Sequence, residues 1–374
     1  MNIQMVDLKG QYHKIKEEID SKVIEVFESS QFINGKEVKL FAEDLVEFHN
    51  VKNVITCANG TDALQIALMA LGLQQGDEVI VPVHTYVATA EVIALLKLKP
   101  VFIDVNPETF TIDINQIKNK ITPNTKAIVP VHLYGQCADM ETLLNIAKQY
   151  KLFVVEDTAQ AIGAEYKFSD GTIKKAGTMG DIGTLSFFPS KNLGCYGDGG
   201  ALLINDNKLA EKARMIANHG QSIKYHHDII GCNSRLDTIQ ATILRVKLKY
   251  LTKYTKERNK VADFYDNELQ KINGIEIPKR ALNSTHVFHQ YTVKIKKNRD
   301  LLKEKLANKG IPSMIYYPIP LHLQKAYINL NEEKENFPIT EMLSKQVLSL
   351  PIHTEMSKTQ LNYIINTIKE CIEF

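Results

Sequence analysis

The sequence predicts an α/β protein: a large domain built on a doubly wound, mostly parallel sheet, followed by a smaller α+β domain at the C-terminal end. Three observations carry that expectation. Short apolar runs (VITC, EVIV, AIVPV, LFVVE) are continuous rather than alternating, as in strands covered by helices on both faces. Between them lie segments whose apolar residues recur at helical spacing. Near Arg245 this alternation gives way to a long basic helix, RVKLKYLTKYTKERNK.

In chain order, residues about 14–29 and 36–49 carry helical patterns through Ile15, Ile19, Val23 and Phe27, then Phe41, Leu45 and Phe48. Asn53–Cys57 is a strand ending in the turn ANG, and Thr61–Leu71 is the helix after it. Strand Glu78–Val81 leads to helix Tyr86–Leu96, and strand Pro100–Asp104 to a short helix capped by Asp113. Strand Lys126–Val131, helix Asp139–Tyr150 and strand Leu152–Glu156 complete the series. The basic run after Arg245 keeps Leu244, Leu248, Leu251 and Val261 at helical spacing, so its charges read as a wet face, not a nucleic-acid patch. HQYTVKIK is strand-like and terminal helices follow. We place the large domain at 14–245 and the small domain at 246–374, with about 1–13 folded onto it.

Bulk numbers narrow the function. Forty-five basic residues face 43 acidic ones, a near-balance with no field to draw nucleic acid or an anionic membrane. The five cysteines are odd in number and none sits in CxxC spacing, which argues against a disulfide framework or a zinc site and for a reducing, cytoplasmic setting. The N-terminus is polar and charged, unlike a targeting peptide, and no apolar run is long enough to span a membrane. Neither HxxxH-type spacing nor GxGxxG after a strand occurs, so no metal and no dinucleotide is expected.

Doubly wound sheets bind ligands beyond the carboxyl ends of their strands. Three segments fall there. Cys57-Ala-Asn-Gly-Thr-Asp62 runs from strand to turn to helix, where free N–H groups, the helix dipole and the Thr61 hydroxyl make an anion site that Gly60 lets a phosphate approach. The same pattern also describes a capped helix with no ligand. Asp157 closes the apolar strand before Thr158-Ala159-Gln160; there it can hold a pyridinium nitrogen protonated or cap the next turn. Lys191 lies in Leu185-Ser186-Phe187-Phe188-Pro189-Ser190-Lys191, before a glycine-rich turn. Partial burial would free its lone pair for a Schiff base, while the plainer reading is a surface lysine. Tyr86, after PVHT, can stack on a flat ring or fill the core.

Taken together, these residues and others resemble the DegT/StrS-type nucleotide-sugar aminotransferases, a branch of the fold type I pyridoxal-phosphate enzymes. The likeness runs through VDLKGQY, FINGKEV, CANGTDALQIALMALGLQQGDEVIVP, VHLYGQCADM, EDTAQAIGA, SFFPSKNLGCYGDGGA, NHGQ, GCNSRLDTIQA, YYPIPLHLQKAY and LSLPIH, nearly the whole chain. It implies pyridoxal 5′-phosphate as cofactor, bound covalently through Lys191. Asp157 would pair with the pyridine nitrogen, Gln160 would contact the phenolic oxygen and Tyr86 would stack on the ring. Gly60, Thr61, Asp62 (through its backbone) and Ser186 would cradle the phosphate. Asn233 would reach the cofactor phosphate of the partner in a homodimer, with Arg235 at the same interface. Relatives with His in place of the lysine dehydrate their substrates, so Lys191 favours transamination.

The resemblance further implies L-glutamate as amino donor, released as 2-oxoglutarate, and a nucleotide-linked keto sugar as acceptor. NHGQSIKYHHDIIGCNSRLD and YYPIPLHLQ are most similar to members that aminate C3, giving 3-amino sugars for surface polysaccharide or lipid A-type glycans. HGQ stands where dTDP-type members carry YGS, which favours a UDP-linked 3-oxo N-acetylhexosamine or its uronic acid. A dTDP-linked 3-keto-6-deoxyhexose, a 4-keto sugar and a cofactor-binding regulator without turnover are the alternatives. His219, Tyr316, Tyr317 and His322 are candidates for the sugar or donor pocket, with plain packing as the competing role for each. Lys167–Thr178 is longer than the corresponding loop of many relatives.

Overall fold

A computed structural model describes residues 3–328 and 335–372. Its centre is a seven-stranded sheet in the order Asn53–Cys57, Gly200–Ile204, Ile182–Ser186, Phe153–Asp157, Thr125–Ile128, Glu78–Pro82, Lys99–Ile103. Six strands run in one direction, and Gly200–Ile204 alone runs antiparallel to both neighbours. The sheet is therefore mostly parallel, as its unbroken apolar strands require. Helices cover both faces. Gly60–Leu71, Ala88–Leu95 and Asn207–Ala217 close one core with Ile66, Ile93 and Ile216; Met140–Tyr150 closes another with Leu143 and Ile146.

The reversed strand decides where the chemistry goes. Cys57 pairs with Gly200, and Gly200 pairs with Ser186, so the ends of two parallel strands stand in one row across a glycine. A Cβ on Gly200 would come within 2.3 Å of the Asn59 carbonyl oxygen, so only glycine lets the turn after Cys57 lean over the sheet. On the next strand Asp157 pairs with Thr184, two residues before Ser186. Cys57, Ser186 and Asp157 thus share one rim.

Three local expectations shift. The helix expected from Tyr86 begins at Ala88, because Tyr86 and Val87 stay in a turn with the Thr89 N–H on the Tyr86 carbonyl. The pattern over 14–29 is split at Ile15 into Leu8–Lys14 and Lys16–Ser29. The basic run is two helices, Thr238–Leu248 and Leu251–Leu269, parted at Lys249–Tyr250. Beyond it a further core gathers Tyr265, Tyr291, Phe288, Leu348 and Ile364, and Ile3 joins it from the N-terminal side. Strands Ile275–Glu276, Tyr291–Ile295 and Val347–Leu350 form its antiparallel sheet. The long 167–178 segment is largely a hairpin, Glu165–Lys167 against Ile173–Lys175. Among the described residues no helix is long and apolar enough to cross a membrane.

Candidate active site

The first wall is the start of helix Gly60–Leu71. Asn59 caps it, its side-chain oxygen accepting the Asp62 N–H at 2.8 Å. The Asp62 N–H is thereby engaged by the cap in this structure. The Gly60 and Thr61 N–H groups have no intrahelical partner and remain the natural donors to an anion. Ser234 locks the turn from 172 residues away: its hydroxyl donates to Asp62 Oδ2 at 2.6 Å and accepts the Ala58 N–H at 3.0 Å. A Cβ on Gly60 would sit 2.7 Å from Ser186 Cβ, so this glycine admits the strand end carrying Ser186.

The second element is Asp157, buried at the rim. Its two oxygens divide the work. Oδ1 accepts the Ala159 N–H at 3.2 Å, a local turn cap, and Oδ2 accepts the Thr89 hydroxyl at 2.8 Å. The cap and the site reading of Asp157 therefore coexist, since each carboxylate oxygen has lone pairs to spare. The strand behind it is anchored by Glu156, which accepts the N–H groups of Gly177, Met179 and Gly180 at 2.6–2.9 Å and pairs with His132 Nε2 at 2.9 Å. His132 Nδ1 accepts the Ala138 N–H, so its Nε2 is the protonated nitrogen that donates to Glu156.

Lys191 is not a surface lysine. The residue keeps some exposure, but its amine end is enclosed; burial lowers its pKa to about 8, with the Asp157 charge pulling the other way. Asn192 Oδ1, next to it in the chain, and His289 Nδ1, in a ring that feels its charge, are buried polar atoms with no partner among the described residues. His289 is held neutral by burial and, secondarily, by the Lys191 charge.

Gln160, Tyr317, Tyr86, Tyr134 and His84 form a third wall. The Tyr134 N–H donates to Gln160 Oε1 at 2.7 Å, which orients the amide so that Nε2 donates to the Tyr317 hydroxyl at 3.2 Å and keeps one N–H in hand. Tyr134 gives its own hydroxyl proton to the Tyr316 carbonyl, so His84 Nε2 must donate to Tyr134, at 3.2 Å. His84 is neutral, burial lowering its pKa to about 4. Tyr86 is 56% exposed with its ring 6.1 Å from that of Tyr317, which disposes of the core-tyrosine alternative.

The structure therefore brings Gly60, Thr61, Ser186, Asp157, Gln160, Lys191, Tyr86, Tyr316 and Tyr317 to one region. It does not bring in the rest. His219 and Asn233 are exposed in the segment after helix Asn207–Ala217, the His219 carbonyl bonding His227 Nδ1 at 2.9 Å. Arg235 lines a separate cleft of about 560 Å³ with Lys39, Lys52 and Arg214. His322 is buried against Phe337, with Nε2 3.2 Å from Glu341. Thr89, Ser234, Tyr134 and His84 went unremarked in the sequence. Of these only His84 and Thr89 carried a signal, as neighbours of Tyr86 at a strand's carboxyl end.

An enclosed amine of lowered pKa, a carboxylate on the same rim and a glycine-admitted helix start suit a phosphorylated aldehyde whose ring nitrogen takes a proton. By its fold and its relatives the protein is a pyridoxal-phosphate-dependent aminotransferase. More closely, the chain belongs to the DegT/DnrJ/EryC1/StrS aminotransferase family, whose model matches residues 13–369. It is 46% identical to the pleiotropic regulatory protein of Geobacillus stearothermophilus, over 99% of this chain and 98% of that one. It is 45% identical to the UDP-2-acetamido-2-deoxy-3-oxo-D-glucuronate aminotransferase of Pseudomonas aeruginosa, over 97% and 98%. The crystal structure of S. venezuelae DesV in complex with a ketimine intermediate is 37% identical and superimposes with a TM-score of 0.94, over 99% and 98%.

Proposed function

We propose that the chain transfers the amino group of L-glutamate to C3 of a UDP-linked 3-oxo sugar, an N-acetylhexosamine or its uronic acid. The observation that carries the amino-transfer chemistry is the enclosed Lys191 amine on the rim that holds Asp157. The UDP-linked acceptor is supported by the HGQ segment at His219–Gln221 and by the substrate named for the P. aeruginosa relative.

Pyridoxal phosphate, when bound, supplies an electron sink that stabilises negative charge at the donor's α-carbon. The chain does the rest. Lys191 would hold the aldehyde carbon, and its neutral amine, once free, takes the proton from the donor α-carbon and later returns one at the acceptor's C3. Asp157 keeps the ring nitrogen protonated while Thr89 fixes its Oδ2. Gln160 offers the N–H that Tyr134 has oriented to the phenolic oxygen. Gly60, Thr61 and Ser186 bind the phosphate, and Tyr86 covers the ring face.

Asn233 would act in trans, on the phosphate held by a partner subunit, with Arg235 at the same interface. What supports a homodimer is the exposed segment beside Asn233, where Ile223, Tyr225 and Ile230 are 70%, 80% and 87% exposed, apolar surface of the kind a partner covers. Light scattering at micromolar concentration tests it; a monomer there refutes the trans role.

The deciding experiment offers UDP- and dTDP-linked 3-keto and 4-keto sugars with glutamate, and reads the aminated carbon by NMR. Amination at C3 of the UDP sugars supports the reading. Preference for a dTDP sugar or for C4 replaces the substrate, and binding of cofactor without turnover of any sugar would make the chain a regulator.

A further inference from the structure

Beneath the turn that carries Lys191 lies a second buried lysine. Lys247, on helix Thr238–Leu248, is 1% exposed. Its ammonium donates to the Gly194 carbonyl and lies 5.0 Å from the centroid of the Tyr196 ring. Among the described residues the titrating group that feels its charge is the Cys195 thiol, not a carboxylate, and burial lowers the pKa of Lys247 to about 8. An ammonium placed inside a protein without a carboxylate is costly, and a methionine would fill similar space without that cost. What the ammonium adds is its grip on one carbonyl.

That carbonyl governs the turn. Phe187 and Gly199 close its base, with the Phe187 N–H on the Gly199 carbonyl at 2.7 Å and the Cys195 N–H on the Phe187 carbonyl at 2.8 Å. The Cys195 thiol returns to the Phe187 and Gly197 carbonyls at 2.9 and 3.1 Å. A Cβ on Gly194 would stand 2.3 Å from the Pro189 oxygen and 2.7 Å from the Phe188 oxygen, so the returning limb rests directly on the limb leading to Lys191. On the other side, Asn192 Nδ2 donates to the Val287 carbonyl at 2.9 Å. Lys191 stands between these two anchors, with its own N–H on the Phe188 carbonyl at 2.8 Å.

We propose that Lys247 is a positioning residue for amino transfer: by holding the Gly194 carbonyl it fixes the turn that aims the Lys191 amine at the rim. The inference rests on the reading of Lys191 as the reacting amine. Displacing a reacting group by an ångström can cost rate with little loss of binding, which sets the readout.

The test compares holoenzymes of wild type, Lys247→Met and Lys247→Arg. Borohydride reduction and peptide mapping of the wild type come first, and a label away from Lys191 removes the underlying reading and this inference together. With the label on Lys191, Lys247→Met is expected to keep its fold and cofactor while kcat falls about tenfold or more and the donor KM changes far less. The pH midpoint of the cofactor–lysine absorbance should move by about half a unit or more. Lys247→Arg, which can still reach a carbonyl, should restore most of kcat. If kcat and midpoint in Lys247→Met match wild type, the residue only fills space and this inference alone falls. An unmoved midpoint with equal losses in both variants likewise overturns it, pointing to general damage. Should Lys247→Met fail to fold, Lys247→Gln, which keeps an N–H donor without charge, is put to the same two readouts: kcat and midpoint near wild type support the grip on Gly194, and losses in both overturn it.

Discussion

The Thr89 hydroxyl donates to Asp157 Oδ2 at 2.8 Å, joining helix Ala88–Leu95 to the end of strand Phe153–Asp157 at the carboxylate whose charge Lys191 feels. The bond fixes one oxygen of Asp157 while its backbone turn fixes the other, so the group has a set direction before any ligand arrives. Replacing Asp157 by Asn removes the charge that, on the proposed reading, would keep a ring nitrogen protonated. We predict a kcat loss of about two orders of magnitude or more, with cofactor retention affected less. Thr89→Val, which removes one charge-assisted hydrogen bond, should cost about tenfold. Steady-state kinetics on both variants checks the order; near-normal turnover in Asp157→Asn contradicts the pyridinium role.

Lys191→Ala should abolish transamination and leave the fold intact, since it leaves in place the turn's own hydrogen bonds at Phe187, Asn192 and Cys195. Circular dichroism and a product-formation assay measure the two halves. Appreciable product from this variant counts against Lys191 as the reacting amine.

The lowered pKa of Lys191 has a pH signature. Only the neutral amine attacks an aldehyde, so the rate at which cofactor-stripped protein regains its cofactor should rise with pH and level off above about 8. An unperturbed lysine would place that midpoint near pH ~10.4. Absorbance-detected reconstitution across the range distinguishes them.

Gly60→Ala drives a methyl group to 2.7 Å from Ser186 Cβ. The strain should open the phosphate cradle and weaken cofactor binding about tenfold, with Gly60→Ala/Ser186→Gly recovering part of the loss. Titration of stripped protein with cofactor gives both affinities; equal affinity for Gly60→Ala and wild type would remove the cradle.

Glu156 is a stability residue. Glu156→Gln replaces a buried acceptor of three N–H groups and of His132 by an amide with a donor on one side. We predict a loss of about 2–4 kcal/mol, read as a lower denaturant midpoint of the stripped protein. An unchanged midpoint refutes the anchoring described for this strand.

The sequence by itself determined five of the seven central strands, though not Ile182–Ser186 or Gly200–Ile204, and the candidate positions of Lys191, Asp157 and Gly60. Those are local properties: unbroken apolar runs mark doubly covered strands, and a glycine after a strand and before a helix marks an anion-accepting turn. It did not show which partners would hold them. Thr89 meets Asp157 across 68 residues, Ser234 meets Asp62 across 172, and Lys247 meets Gly194 across 53, and no spacing rule reaches that far. Nor could it separate Lys191 from a surface lysine, because an amine's pKa is set by what encloses it. Tertiary structure decided these matters through one feature above the others: the reversed strand Gly200–Ile204, which sets Cys57 and Ser186 in a single row and so turns separate strand ends into one rim.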